Sequence, residues 1–321
     1  MSMDLFNTSS LYVNDSVDFL SSILLSMPYS LCKNKVLRAI ICTYLVVKMH
    51  PTAINTGDES MRDHLKKTLW RREMRTARRK ASELKETKSL YSSQGHYTPE
   101  RQALHMDILK KISKKPFMPK HTVKPTAILL GGGSATGKTT LRESIIEKEC
   151  AKKGIRPVTV DADEIKEYLP EYTLLKHTHP TYAAALVHKE SRDIADMLLK
   201  RLLRERSHLV YEGTMAKARK YKKLIGKLHR ADYEVHAYVV DVPVKVAKKR
   251  AIQRAKQTGR TIPPHVIENT HKLVPRTFQT IKDSVDSYHV YDNQDGLTLI
   301  ATNGYVHAPL YNQFMKKGGK K

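Results

Sequence analysis

Gly132, Gly137, Lys138 and Thr139, in the stretch GGGSATGKTT, satisfy the spacing G-x-x-x-x-G-K-[ST] that can grip a triphosphate. The expected nucleotide cradle is Gly132, Gly133, Ser134, Ala135, Thr136, Gly137, Lys138, Thr139 and Thr140. Glycines let successive backbone N–H groups turn inward around a phosphate with no side chain in the way, and the following helix offers its positive end. Lys138 should reach the β- and γ-phosphate oxygens and the Thr139 hydroxyl should ligate Mg²⁺. ATP or GTP as phosphoryl donor, with Mg²⁺, are the cofactors this implies. The apolar run TAILLGG before the loop and the amphipathic LRESIIEKECAKKG after it supply the strand and helix that the loop needs.

A phosphate loop serves ATPases, GTPases and kinases alike, so the residues opposite it must say more. In open α/β sheets, ligands gather beyond the carboxyl ends of the strands. Acids placed there are Asp161, Asp163 and Glu164 after the strand pattern VTV, and Glu212 after HLVY, followed by Gly213 and Thr214. A kinase acting on a hydroxyl gains from a carboxylate that takes the proton as the oxygen attacks, and Asp163 is the expected base. Asp161 or Asp163 could also simply cap the helix EIKEYL. Glu212, with Thr214 beside it, is expected on the acceptor side, facing a substrate hydroxyl or a Mg²⁺-bound water. Arg250 and Arg254 stand one turn apart in VAKKRAIQRAKQTGRTIPPHV, with Arg260 just past a glycine turn. Together they suggest a basic lid whose guanidinium groups stabilise the transferring phosphoryl group, while Lys248 and Lys249 read as solvated surface. His177 and His179 have no companion ligands at metal spacing and read as ordinary polar residues near the cleft.

From Thr126 onward strand and helix patterns alternate: TAILLGG, a helix, RPVTV, one long helix, HLVYEG, a helix, EVHAYVVD. Such alternation predicts an α/β fold, a P-loop kinase with a twisted, mainly parallel sheet flanked by helices and preceded by an α-helical N-terminal region. Residues 1–60 read as an apolar helical region, with patterns at Val17 to Met27 and Val36 to Met49 separated by Pro28. Residues 61–92 read as a basic amphipathic helix, residues 93–310 as the kinase domain and residues 311–321 as a basic tail. Thr98 is placed to cap a helix that begins at Pro99.

The formal charge of +25, from 57 basic and 32 acidic residues among 321, attracts anions without choosing among phosphates, nucleotides, nucleic acid and acidic proteins. Nucleic acid could engage the basic helix of residues 61–92. Cys32, Cys42 and Cys150 are scattered, which argues against a disulfide framework or a zinc site and favours a reducing cytoplasm. Lys33, Lys35 and Arg38 interrupt the apolar N-terminal stretch, so no membrane span is expected, and Asp4 ahead of it disfavours a secretory signal.

The ordered set YTPERQALH, KPTAILLGGGSATGKTT, VDADEIKEYLPEY, AAALVHKESRDIA, VYEGT and RAKQTGRTIP resembles the zeta-toxin family of P-loop kinases over roughly residues 97 to 300. The resemblance implies an ATP- or GTP-dependent kinase, toxin-like, whose acceptor is the 3′-hydroxyl of the amino sugar in UDP-N-acetylglucosamine, with an antitoxin protein as partner. It matches Lys138 and Thr139 to the triphosphate and magnesium site, Asp163 to the catalytic base and Glu212 to the substrate-side carboxylate. It also matches Arg260, and either Arg250 or Arg254, to phosphate-binding arginines. For the acid on the helix before VYEGT it leaves both Glu190 and Asp196 open, depending on how that helix is registered.

Overall fold

The computed structural model describes residues 85–113, 124–258 and 262–319. The chain divides into two compact units, residues 1–79 and 80–321, and every described residue lies in the second. The two apolar helical patterns, most of the basic helix, residues 114–123 and Arg260 lie outside the described residues.

The described chain opens with α1 (Thr87–Tyr91) and a small antiparallel hairpin of β1 (Ser92–Ser93) and β2 (His96–Tyr97). Gln94 and Gly95 turn it with φ of 51° and 85°, the left-handed pair that a two-residue hairpin loop requires. The basic helix expected over residues 61–92 therefore does not run through its C-terminal end, because Glu86 is extended. Contacts made by this segment, such as the Arg101 guanidinium 4.0 Å from the Tyr91 ring, override its helical periodicity. Next comes α2 (Pro99–Ile112), where the Thr98 hydroxyl accepts a hydrogen bond from the Arg101 N–H at 3.3 Å.

β3 (Thr126–Gly132) leads through the phosphate loop into α3 (Lys138–Leu141), a π-helical turn over Arg142–Ile146, and α4 (Glu147–Lys152). β4 (Val158–Val160) follows. The single long helix expected next is instead α5 (Ala162–Ile165), a 3₁₀ turn (Lys166–Tyr168), α6 (Pro170–Thr178), α7 (Pro180–Leu186) and α8 (His188–Arg204). The breaks have a local cause. Leu169 and His179 each precede a proline, which disfavours the helical conformation, and each proline then starts a new helix. The chain continues with β5 (Leu209–Glu212), α9 (Ala218–Arg230), β6 (Glu234–Asp241), α10 (Val244–Thr258) and α11 (Pro264–Ile281). It ends with β7 (Ser287–Asp292), β8 (Thr298–Thr302) and α12 (Ala308–Lys316).

The main sheet has the order β4-β5-β3-β6-β7-β8, parallel throughout except for the antiparallel edge strand β8. Alternation along the central strands feeds both faces. Ala127, Leu129, Tyr211, Val235 and Ala237 join the core built with α2, α8, α9 and α11, whereas Ile128, Leu130, Val210 and Val240 pack on Leu141, Ile146 and Cys150 behind the phosphate loop. Double-sided burial explains why these strands read as unbroken apolar runs. Residues 311–321, expected as a basic tail, begin inside α12, with Phe314 only 1% exposed and Lys317 paired with Asp241 at the end of β6. An apolar stripe (Leu310, Phe314, Met315) hidden among lysines packs this helix on the core.

Candidate active site

Sheet order places the ends of β3, β5 and β4 side by side, with Leu130 of β3 in register with Glu212 of β5. The phosphate loop, Glu212 and the acids after β4 thus converge on one edge. Two glycines of the loop cannot be replaced without strain. At Gly132 (φ 155°) a Cβ would meet the Val240 carbonyl oxygen at 2.5 Å. At Gly137 (φ 91°) it would collide with the Asn293 side-chain amide.

Residues far along the chain hold the loop in shape. The Asn293 amide donates to the Thr136 carbonyl at 2.9 Å, and the Ser134 N–H donates to the Thr270 hydroxyl at 3.3 Å. The buried His271 ring donates from Nε2 to the Ser134 carbonyl at 3.1 Å. Burial pulls His271 down to about 4, so it is neutral near pH 7 and its Nε2 carries the proton that the carbonyl requires. Inside the loop, the Thr136 hydroxyl donates to the Gly133 carbonyl at 3.0 Å. The Lys138 ammonium lies across the loop, 3.3 Å from the carbonyls of Gly132 and Gly133. Burial pulls that ammonium below its ordinary value, against the attraction of Glu212, Asp161 and Asp163.

The carboxylates divide by environment. Asp161 caps α5, accepting from the Asp163 N–H at 2.8 Å. Burial and the adjacent Asp163 charge push its carboxyl up. Asp163 is half-exposed and ion-paired at 2.6 Å with Lys166, itself only 3% exposed. Glu212 is 9% exposed and is pushed up to about 7 by burial and by Asp161, against Lys138 and Arg142. Its Oε2 has no hydrogen-bond partner among the described residues, with the Arg142 Nε 3.5 Å away. An orphaned carboxylate oxygen facing the loop, with the exposed Thr139 beside Lys138, fits a Mg²⁺ ion held by few protein ligands, the rest being phosphate oxygens and water. Among the described residues no cluster of three or more His, Cys, Asp or Glu could by itself hold a metal.

Two cavities meet at this wall. One, of 150 Å³, is lined by residues 134–139, Arg254 and Ile262. The other, of 220 Å³, is lined by His188, Arg192, Asp196, Tyr211 and Tyr221 among others. Asp161, Asp163, Glu212, Gly213 and Thr214 line both.

Expected residues are thus brought together in the main. The loop, Asp163, Glu212 and Thr214 share the two-cavity wall, Arg254 reaches the loop side and Asp196 the far side. Arg250 sits farther out, where its guanidinium donates to the carbonyls of Asn293 and Gln294 at 2.8 and 3.1 Å, along a groove that also touches Ala135, Gly137 and Thr140. Glu190 is not brought to the cleft. It is 0% exposed on the opposite face of α8, bonded to the Arg101 guanidinium at 2.6 Å and to His105 at 2.7 Å. His177 and His179 are exposed on and after α6.

Several residues of the site escape a reading by strand ends: His188 and Arg192, which line the second cavity, and Arg142 and Lys166, which pair with Glu212 and Asp163. A usable signal does exist for two of them. His188, Arg192 and Asp196 recur every fourth residue, which puts them on one helix face and fixes the register of α8. Burial pulls the His188 imidazole, which lines the second cavity, below its ordinary value.

The ion pair with Lys166 fixes where the Asp163 carboxylate points. Lys166→Met, which removes this ion pair, is expected to lower kcat about 10²-fold with little change in the KM for nucleotide. Steady-state kinetics beside a thermal melt check it, and a fall in KM-linked binding alone would contradict the positioning role.

Among the described residues no helix is long and apolar enough to cross a membrane. Comparison with known proteins bears on the whole arrangement. The toxin zeta of Streptococcus agalactiae is 27% identical over 186 residues, covering 56% of this chain and 63% of that protein. Less than two thirds of that relative's length is therefore spanned. A calmodulin calcium-dependent NAD kinase of Arabidopsis thaliana is 31% identical over 97 residues, 29% of this chain and 18% of that one. A solved structure from the PezAT chromosomal toxin-antitoxin system of Streptococcus pneumoniae superposes with a TM-score of 0.55 at 19% identity, covering 70% of this chain and 90% of the other, which bears on fold alone. The model of the family described as zeta toxin matches residues 110–304, more than half of the chain, and the chain therefore belongs to the zeta toxin family.

Proposed function

We propose that the chain is an ATP- or GTP-dependent phosphotransferase that phosphorylates a hydroxyl of a small acceptor, with the 3′-hydroxyl of the amino sugar of UDP-N-acetylglucosamine as the first candidate. One observation carries the reading: a triphosphate-binding loop and a second cavity share a wall of Asp161, Asp163 and Glu212. A nucleoside triphosphatase needs the first cavity only.

In this mechanism Lys138 and the loop N–H groups hold the β- and γ-phosphates, and Arg254 stabilises the charge that spreads over the transferring group. Arg260 and Arg250 are proposed as further phosphate-side arginines, Arg260 from outside the described residues. Thr139 and Glu212 would hold Mg²⁺, which when bound neutralises charge on the phosphate oxygens. Asp163, held by Lys166, accepts the proton of the acceptor hydroxyl. The acceptor oxygen bonds to the γ-phosphorus as the bond to the bridging oxygen breaks, and the nucleoside diphosphate leaves. Thr214 and Asp196 orient the acceptor from the second cavity.

Lys138→Ala removes a charge-assisted contact worth roughly 1.5–3 kcal/mol. ATP is accordingly expected to bind about 10- to 100-fold more weakly, measured by calorimetry. The acceptor is tested by incubating the protein with Mg-ATP and UDP-N-acetylglucosamine and reading product by mass spectrometry. No phosphorylated sugar nucleotide from a protein that binds ATP would sink that acceptor while sparing the kinase. A second acceptor reading, a ribose hydroxyl of a dinucleotide such as NAD, is favoured by the similarity to the Arabidopsis NAD kinase. A toxin-like role, a cytoplasmic setting and an antitoxin protein as partner complete the proposal, and are supported by the family.

A further inference from the structure

The phosphate loop is held from behind by a chain of polar contacts whose far end lies just past α12. Lys317, the C-cap of that helix, pairs with the Asp241 carboxylate at the end of β6 and donates to the Val242 carbonyl at 2.7 Å. Asp241 Oδ1 in turn lies 3.9 Å from Nδ1 of His271 on α11, the ring whose Nε2 donates to the Ser134 carbonyl. The His271 side chain is fully buried and Asp241 nearly so. Lys317 thus reaches a loop more than 180 residues away through two side chains.

These contacts set up a competition for one proton. A neutral imidazole carries a single N–H, and the acceptors on its two sides decide which nitrogen holds it. On the Nε2 side stands the Ser134 carbonyl. On the Nδ1 side stands the Asp241 carboxylate, and the Val242 carbonyl also draws on the ring. An ionised acceptor outbids a neutral carbonyl. Left to itself, Asp241 would take the ring's N–H and turn a bare Nε2 lone pair on Ser134. Lys317 engages both acceptors of the Nδ1 side, which leaves the proton to Nε2.

The charges around the ring act in the same direction. Burial pulls His271 down, and the Lys317 and Lys138 ammonium groups add to this against the Ser134 and Val242 carbonyls. Burial pushes the Asp241 carboxyl up, with Asp292 adding to it and Lys317 opposing.

A misplaced proton reaches the loop directly. A Cβ on Gly133 would stand 2.4 Å from Cδ2 of His271, so the ring packs on the loop backbone itself. Thr270, the preceding residue of α11, accepts the Ser134 N–H at 3.3 Å. One helix therefore grips both the N–H and the carbonyl of Ser134. We propose that Lys317 is a positioning residue of the phosphate loop: by occupying Asp241 and Val242 it holds His271 in the Nε2–H form, which fixes the Ser134 peptide in the shape that receives the triphosphate. This role rests on reading the loop as a nucleoside-triphosphate cradle.

The test uses the full chain at pH 7 with ¹⁵N-labelled histidine. Proton–nitrogen correlation spectra report which ring nitrogen of His271 bears hydrogen, and calorimetry with a non-hydrolysable Mg-ATP analogue reports the loop. Wild type is expected to show Nε2–H. Lys317→Met should move the proton to Nδ1, or add a second one, and weaken the analogue about tenfold. Lys317→Met with Asp241→Asn removes the competing charge and offers Nδ1 an amide donor, so Nε2–H and most of the affinity should return. Lys316→Met, an exposed neighbour on α12, should change neither. If Lys317→Met does not melt cooperatively, Lys317→Gln replaces it; its amide satisfies one of the two acceptors, and both ring forms with a smaller loss of affinity are expected. An unchanged Nε2–H form in the folded variant overturns the proposal. A loss of affinity that Asp241→Asn fails to restore also overturns it, because Lys317 would then be only a packing contact. A wild-type chain that shows Nε2–H yet binds no analogue counts against the nucleotide reading instead.

Discussion

Asp163→Asn is expected to lower kcat for phosphoryl transfer by about 10²- to 10⁴-fold while leaving nucleotide binding intact. The substitution keeps the size and shape of the side chain and removes its ability to take a proton. Position makes the effect large: Asp163 lines both cavities and is steered by a buried lysine 2.6 Å away. Asp161→Asn is the matching control. Its carboxylate caps α5, and Asn caps a helix about as well, so the loss there should be much smaller. Single-turnover transfer with bound ATP, measured for both variants, separates the chemical step from binding. Equal losses at the two positions would show that the cluster acts as an undivided field and that Asp163 is not the base.

The second large effect is on stability and lies away from the chemistry. Glu190 is fully buried and bonded twice to Arg101 and once to His105, while Arg101 also reaches Glu171 with two bonds of 2.8 Å. Removing one partner of such a group leaves buried charge uncompensated, so Glu190→Ala is expected to cost about 3–5 kcal/mol. For a domain of this size that lowers the melting midpoint by roughly 10 °C. The network joins α2 and α6 to α8, whose other face carries His188, Arg192 and Asp196 to the cleft. Loss of the pair should therefore also loosen the acceptor cavity, raising the acceptor KM in whatever fraction remains folded.

The same network sets a pH dependence with a definite sign. Burial alone would raise the Glu190 carboxyl, yet hydrogen bonds from His105, Arg101 and Thr87 and the Arg101 charge bring it to about 2, below its ordinary 4.5. A group depressed in the folded state contributes its stability in full above the ordinary value and loses it as pH falls toward the folded one. Thermal midpoints of the wild type should thus drop between about pH 4.5 and about pH 2, with a shallower drop in Glu190→Gln. Curves that stay parallel through that window would contradict the assignment.

How much of this was legible in the sequence follows from how local each feature is. The phosphate loop is contiguous, and strand, loop and helix announce themselves within residues 126–152. Asp163, Glu212 and Thr214 were legible because parallel topology sends every strand's carboxyl end to one edge. The loop's supports at Thr270, His271 and Asn293 were not, since hydrogen bonds spanning more than 130 residues leave no periodic trace. Glu190 and Asp196 could not be told apart by type alone. Their difference is one of helix face, and the recurrence of His188, Arg192 and Asp196 would have settled it. Prolines at 170 and 180 broke an expected long helix, and the lysines around Phe314 disguised a packed helix as a tail.

Two cavities share one wall of carboxylates, and under the proposed function phosphate leaves ATP for a hydroxyl rather than for water. The most direct test exposes a metabolite extract, supplemented with UDP-N-acetylglucosamine, to Mg-ATP and either the wild-type chain or Asp163→Asn, and follows masses. The account predicts a metabolite that gains one phosphoryl group with the wild type and fails to do so with Asp163→Asn. ATP hydrolysed to ADP and free phosphate with no such metabolite, or an acceptor phosphorylated equally well by both proteins, would contradict it.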